Sequence, residues 1–475
     1  MTTLVPHFLL NAPAAATPRH GTSAGPGFDL AFPTDARRTL TAAWLGLAMA
    51  ALLASGLFSI LLVLSRTPQL QSLFPVADFF RVALVVHVDL SVLVWFLAFG
   101  GALWSMTGGA RGLRIGWAAF ALAAAGTGVM TLSAFVEHAT PVMANYIPVL
   151  DGPVFIAGLL AFGAGMVLLC VRSMATVRPI GVALDGDGAL RFGLNAALVS
   201  TGIAALAFAA SWWQLPAGLD TRVHYELMFW GGGHVLQFTY TLLMLVGWVW
   251  LASSFGAPFP LSPRVVTALF AIALASVFLT PVTYAAYPVT SIEHHRAQTL
   301  LMRFGGGIVI APIAFALAIA LWRQKSISAT DAPLRASLVA SLGLFTAGGL
   351  IGFMISGSNV KIPAHYHGCI VGVTLAMMGM TYRLLPQFGH AAPASRLAAW
   401  QPGIYGVGQL MHIVGLVWSG GYGVQRKVGG ADQVLRTLPE IAGMGMMGLG
   451  GLVAIVGGVL FLVVVAQSIR AGRRS

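Results

Sequence analysis

Charged side chains are scarce in this chain. Asp, Glu, Lys and Arg together make up 8% of its 475 residues, whereas a soluble domain carries about 25%. Hydrophobic residues reach 57%, and the mean hydropathy is +0.84. This balance excludes an ordinary soluble enzyme and predicts an all-α integral membrane protein.

Cysteine is almost absent. Cys170 and Cys369 lie in separate apolar runs, and no CxxC or CxxCH pattern occurs, which excludes a disulfide framework, a thiolate-bound metal cluster and a covalently attached c-type haem. Blocks of basic residues are also lacking. The net charge of +12 comes from Lys and Arg in short loops, so we expect membrane lipid around the protein and no nucleic acid.

Long apolar runs are what the chain has in abundance. A membrane-spanning helix needs about 20 predominantly apolar residues. Twelve runs meet that length, at about residues 40–64, 82–106, 114–136, 148–171, 192–213, 225–252, 264–286, 298–322, 335–357, 363–385, 400–420 and 442–468. We therefore predict one twelve-helix domain over residues 40–468. Residues 1–39 are predicted to form a retained, disordered cytoplasmic tail, because they lack the pattern of a signal peptide, and residues 469–475 a short basic cytoplasmic tail.

The loops predict an orientation. An even number of spans puts both termini on one side of the membrane, and that side holds 17 of the 26 Lys and Arg residues against 9 on the other. Cytoplasmic loops carry the excess of positive charge. We therefore expect a multi-pass protein of a bacterial-type inner (plasma) membrane, with both termini on its cytoplasmic side.

Histidine is enriched in the outer third of the predicted bundle. The six residues concerned come from four of the runs: His87 in the second, His234 in the sixth, His294 and His295 at the end of the seventh, and His365 and His367 at the start of the tenth. Each could be a hydrogen-bonded packing residue if it stood alone, but an ionisable side chain within a membrane span is a candidate for function. The other six histidines, among them His138, His224, His390 and His412, are left structural or unassigned.

The chemistry of iron and copper divides six imidazoles in a simple way. His365 and His367 point about 200° apart on a helix, so each can face a different centre. A six-coordinate haem iron takes two axial ligands, and a haem with an open site takes one. Three imidazoles suit a copper ion. The set is thus sufficient for two haems and a third metal.

The chain resembles catalytic subunit I of the haem–copper oxidoreductases, which comprise the terminal oxidases and nitric oxide reductases. The resemblance covers all twelve runs and is carried by five places: His87, Trp230-Gly-Gly-Gly-His234, His294-His295, His365-Tyr-His367 and Gly423-Val-Gln-Arg426-Lys427. It implies a low-spin haem bound by His87 and His367, a high-spin haem bound by His365, and copper or non-haem iron bound by His234, His294 and His295. Arg426 and Lys427 would meet the haem propionates.

The resemblance implies an enzyme that reduces O2 to water with electrons from cytochrome c or another donor subunit on the periplasmic side. Many such oxidases carry a tyrosine four residues after the sixth-helix histidine, where this chain has Phe238. Tyr287 is the predicted substitute. Nitric oxide reductases place a glutamate near the second metal, and Glu226 and Glu293 are the nearest acids here. A divergent nitric oxide reductase is therefore the alternative, and a haem-free polytopic transporter is a third.

Overall fold

The computed structural model describes residues 27–65, 79–181, 184–426 and 434–472. Most of the predicted N-terminal tail, Lys427 and residues 473–475 lie outside them. The described part of the tail, residues 27–36, has no regular secondary structure but packs against the protein, because the Phe28 side chain is fully buried and its Cα lies close to Gly186.

Helices dominate the described residues. They are α1 (Arg37–Ser65), α2 (Phe79–Val88), α3 (Trp95–Thr107), α4 (Leu113–Val136), α5 (Pro153–Ala175), α6 (Gly186–Gln214), α7 (Thr221–Ser254), α8 (Pro263–Val277), α9 (Leu279–Ala286), α10 (Ile292–Leu300), α11 (Gly307–Arg323), α12 (Ala332–Phe353), α13 (Lys361–Leu384), α14 (Arg396–Gly421) and α15 (Leu438–Gly472). A short antiparallel hairpin, β1 (Thr140–Val142) and β2 (Val149–Asp151), joins α4 to α5.

Eleven helical spans in the described part of the chain are long and apolar enough to cross a membrane. Their order matches the predicted runs, and the predicted class of multi-pass helical membrane protein is confirmed. The run at 400–420 falls in α14, which is 26 residues long but less apolar. Exposed Trp400 and Trp418 lie near the two ends of this helix, and their 18-residue separation corresponds to about 27 Å, close to the thickness of a bilayer core. Aromatic residues favour both membrane interfaces, so α14 has the features of the twelfth span.

Two of the spans contain a π-helical segment. Asp89–Val94 lies between α2 and α3, and Leu301–Gly306 lies between α10 and α11. A π-helical segment widens the turn and is often found at functional sites. Both segments begin a few residues after a predicted ligand, two residues after His87 and six after His295.

The described residues form two compact units. The first contains those of 24–246 and 260–318, and the second those of 247–259 and 319–475. In the first unit, α4 and α5 approach so closely that a Cβ on Gly158 would lie 2.8 Å from the Met130 nitrogen, and one on Gly165 would lie 2.7 Å from the Ala123 nitrogen. Small residues allow such close approach between membrane helices.

Glycine also forms the contact between α14 and α15 in the second unit. Gly443, Gly450 and Gly457 are spaced seven residues apart, and each lies against the α14 backbone. A Cβ on Gly457 would lie 2.6 Å from the Cα of Tyr405. The seven-residue spacing keeps glycine on one face of α15, so the two helices stay in contact along their length.

Candidate functional site

His87 lies near the end of α2 and is held by α1. Its Nδ1 is 2.9 Å from the backbone oxygen of Ser55, and the Ser55 hydroxyl lies 3.0 Å from the same nitrogen. A carbonyl oxygen only accepts hydrogen bonds, so this contact assigns the hydrogen to Nδ1 and leaves the lone pair on Nε2. Metal-bound histidines characteristically donate their other ring N–H in this way.

The π-helical segment after His87 begins with a buried acid. Asp89 is 1% exposed, and neither carboxyl oxygen has a hydrogen-bond partner among the described residues. Such a group is costly to bury unless a further partner is supplied. Nothing in the sequence predicts the π-helical turn, which requires one extra residue in the helical repeat.

His234 lies in the middle of α7 and is 2% exposed. Its Nδ1 is 2.7 Å from the backbone oxygen of Trp230, one turn earlier. The Trp230 ring lies 4.8 Å from the His234 ring and 4.8 Å from that of His295. The indole therefore joins imidazoles from α7 and α10 in one cluster.

His294 and His295 lie in the first turn of α10. The sequence suggested the end of the preceding helix, but α9 ends at Ala286 and Ser291 caps the next helix, its hydroxyl accepting from the His294 backbone nitrogen at 3.1 Å. The His295 Nδ1 is 3.0 Å from the Ser291 backbone oxygen. The ring of His294 is fully buried, packs 4.6 Å from that of Tyr284, and lies beside the backbone of Thr283 and Tyr287.

Tyr146 is a site residue that sequence reasoning missed. Its hydroxyl is 2.9 Å from the His234 Nε2, and the two rings are 4.7 Å apart. Tyr146 lies in the β1–β2 loop with φ at +69°, a left-handed conformation that is rare for a bulky residue. The preceding residue, Asn145, donates its backbone N–H and its amide Nδ2 to the Glu226 carboxylate. The only sequence signal is a tyrosine in a loop, which is too common to select.

The imidazoles of the first unit are suitable nitrogen ligands for a metal ion, but their rings are not arranged around a common point. As placed, the described residues contain no group of three or more His, Cys, Asp or Glu side chains arranged to hold a metal ion, and the rings of His294 and His295 are 6.4 Å apart. The donors nonetheless suit one. His234 and His295 each direct Nδ1 to a carbonyl of their own helix, which leaves Nε2 as the lone-pair nitrogen of each ring.

In the second unit, His365 shows the same signature. Its Nδ1 is 2.8 Å from the Gly348 backbone oxygen of α12, so Nε2 carries the lone pair. Two residues later, the His367 ring packs 4.6 Å from that of His412, whose Nδ1 is 3.0 Å from the Met447 backbone oxygen. His412 was unassigned from sequence, because its contact to His367 depends on how α14 packs against α13.

Arg426 lies beside the end of α13 that bears these histidines. Its Nε donates to the Ser358 hydroxyl at 3.2 Å, and the Val360 N–H donates to the Val424 oxygen at 3.0 Å. Lys427, its predicted companion, lies outside the described residues.

The predicted tyrosine and acids occupy different surroundings. Tyr287 follows the last turn of α9 and is 40% exposed, so its role stays a prediction. Phe238 is 3% exposed and packs against Gly305. Glu293 is exposed, whereas Glu226 holds the loop that carries Tyr146.

The fold is that of a multi-pass helical membrane protein, and its spans carry buried imidazoles with defined hydrogen-bond partners. A family model described as "Cytochrome C and Quinol oxidase polypeptide I" matches residues 39–460. The chain belongs to this haem–copper oxidase family, whose members bind haems and a binuclear centre of haem iron with copper or iron. It is a haem–copper oxidoreductase.

Two relatives cover most of this chain. An uncharacterized protein of Rickettsia prowazekii (strain Madrid E) is 30% identical, covering 90% of this chain and 96% of its own length. An uncharacterized protein of Aquifex aeolicus (strain VF5) is 26% identical over 76% of this chain and 88% of its own. Neither description states an activity, so the substrate is a matter for proposal.

Proposed function

We propose that this protein is the catalytic subunit of a respiratory terminal oxidase that reduces O2 to water with electrons from cytochrome c or another donor subunit. The observation that carries the proposal is shared by four histidines. His87, His234, His295 and His365 each hydrogen-bond a backbone carbonyl through Nδ1, at 2.7 to 3.0 Å. Metal-bound histidines characteristically donate their other ring N–H in this way. Four of the six predicted ligands do so here, as does the unassigned His412.

The ligand assignment follows the resemblance. We assign His87 and His367 to the low-spin haem, His365 to the high-spin haem, and His234, His294 and His295 to copper or non-haem iron. When bound, the haems and the second metal supply electron transfer and reduction of the substrate. The chain holds the rings of His87, His234, His295 and His365 by their Nδ1 bonds. It excludes water from His234 and His294, which are 2% and 0% exposed.

The remaining parts of the proposal concern the surroundings of the site. Arg426 and Lys427 are assigned to the haem propionates, since guanidinium and ammonium groups pair well with carboxylates. The loop charges support a bacterial inner membrane with both termini in the cytoplasm. Electrons would then arrive on the periplasmic side, where the histidine-bearing ends of the spans would lie.

Nitric oxide reduction to N2O is the second candidate, and Phe238 favours it. The buried phenyl group at this position can neither donate a proton nor be oxidised as a phenol can. Tyr146 favours oxygen, because it brings a phenol to His234 from a different element. Glu226 is engaged with Asn145, which argues against a free carboxylate at the second metal.

Purified full-length protein provides the test. We expect haem bands in the reduced-minus-oxidised spectrum, about two haems and one copper per chain, and O2 uptake with a reduced donor. Iron in place of copper, together with NO turnover and no O2 uptake, would establish the reductase instead. A preparation that never contains haem would refute both activities and favour the haem-free transporter.

A further inference from the structure

The loop between β1 and β2 places a phenol on the nitrogen that a metal would need. We propose that Tyr146 is a positioning residue that occupies the Nε2 of His234 until the second metal displaces it, and then remains beside that metal. The inference rests on the metal site of the proposed function and names a residue that competes for it.

The His234 tautomer gives the first step of the argument. The Nδ1 contact to the Trp230 oxygen at 2.7 Å requires the hydrogen on Nδ1. Nε2 is therefore the acceptor, and the Tyr146 hydroxyl donates to it at 2.9 Å. An imidazole nitrogen has one lone pair in the ring plane, so the phenol and a metal ion cannot use Nε2 at the same time.

The position of Tyr146 is fixed independently of His234. Gly233 leaves the space for the ring, since a Cβ there would overlap Tyr146. Trp230 packs edge-on against the ring with centroids 5.9 Å apart. Glu226, two turns before His234 on the same helix, binds Asn145 through both of its oxygens. The left-handed backbone at Tyr146 is a strained conformation that such surroundings must maintain.

The Tyr146 hydroxyl can therefore leave Nε2 of His234 while the rest of the residue stays in place. The ring contacts with Gly233 and Trp230 and the anchor at Glu226 do not involve Nε2, so they persist when the hydrogen bond breaks. A metal ion binds an imidazole nitrogen at about 2.0 Å, so the hydroxyl oxygen, now 2.9 Å from Nε2, has to swing aside by more than about 1 Å while the ring stays beside Gly233 and Trp230. The hydroxyl then lies next to the ion at His234 and can hydrogen-bond a ligand on it.

Competition predicts the direction of one measurement. Tyr146→Phe removes the hydroxyl and keeps the ring, so the metal no longer has to break a hydrogen bond. We expect the variant to bind copper at least about fivefold more tightly, the factor that corresponds to one ordinary hydrogen bond. Glu226→Gln weakens the anchor at Asn145 and should give a smaller gain in the same direction.

The experiment uses the full-length, haem-loaded protein with its second metal removed by a chelator. Cu⁺ is titrated back against a chromogenic chelator, and the EPR spectrum is recorded after oxidation to Cu²⁺. Tyr382→Phe is the matched control, because it also removes a buried phenol hydroxyl, one that donates to Gln401 at 2.9 Å rather than to a histidine. Haem content and the thermal unfolding midpoint of each variant show whether it has folded.

The possible outcomes distinguish failure of the Tyr146 inference from failure of the metal site in the proposed function. Tighter copper binding in folded Tyr146→Phe, an altered EPR spectrum and an unchanged Tyr382→Phe support the inference. Equal or weaker binding in Tyr146→Phe, with normal uptake by the unmodified protein, overturns the inference and leaves the proposed function intact. If the unmodified haem protein takes up no second metal, the metal site itself is refuted, and the competition with it.

Discussion

The sharpest prediction concerns Gly352, which leaves the space that the His365 ring occupies. A Cβ on Gly352 would lie 2.9 Å from Nδ1 and 3.0 Å from Cε1 of His365. Atoms that are not bonded to each other rarely approach this closely. Gly352→Ala must therefore move the imidazole, the helix or both.

The size of the effect follows from the hydrogen bond that is disturbed. Ordinary contact needs about 0.5 Å more separation, and the ring is held on the same side by the 2.8 Å contact between its Nδ1 and the Gly348 oxygen. Moving away from Gly352 strains that bond. Loss of such an outer partner typically lowers metal affinity about 10- to 100-fold, which is about 1.4 to 2.7 kcal/mol. We expect Gly352→Ala to lose high-spin haem selectively.

Gly349→Ala is the matched control on the same helix, since an added Cβ there meets no atom within 4 Å among the described residues. Haem content and the CO-difference spectrum of the reduced protein are compared in both variants. Gly349→Ala should resemble the unmodified protein, while Gly352→Ala should lose the CO-binding haem and keep the low-spin band. Full retention of CO-binding haem in Gly352→Ala would contradict the proposed role of His365.

Three further predictions address the other ligands and the helix contacts. His367→Ala should remove the low-spin haem spectrum and leave some high-spin haem; loss of copper alone would contradict the assignment. His294→Ala should abolish turnover with both haems still present by spectroscopy. Gly457→Ala should destabilise the protein by about 1–3 kcal/mol through overpacking, measured by thermal unfolding, whereas Gly448→Ala, which meets no atom within 4 Å among the described residues, should be neutral or slightly stabilising.

Periodicity and composition were sufficient to predict the helices, because a bilayer forces a spanning segment to satisfy its own backbone hydrogen bonds and to be apolar for about 20 residues. Where the helices of the structure differ from the predicted ones, the cause is local. The Ser291 cap starts α10 before His294, so the histidine pair lies in a helix rather than after one. The π-helical turns after His87 and His295 leave no mark in the hydropathy pattern.

The candidate ligands could also be predicted from the sequence, because burying histidine in hydrocarbon costs free energy and its presence there requires a reason. The hydrogen-bond partners of these histidines could not be predicted. The oxygens that hold Nδ1 of His87 and His365 belong to Ser55 and Gly348, on the preceding helix in each case. Every residue has a backbone carbonyl, so no sequence pattern identifies the carbonyls that accept a hydrogen bond from a histidine ring.

The sequence by itself determined the class of protein, the approximate spans and the residues able to bind iron or copper, because the membrane constrains composition one residue at a time. Tertiary structure alone decided which nitrogen of each imidazole is available and which phenol reaches His234. Those outcomes depend on distances of about 3 Å between groups that are remote in the chain, as between Tyr146 and His234. Hydrogen bonds weaken steeply beyond that distance, so only the packed structure selects them.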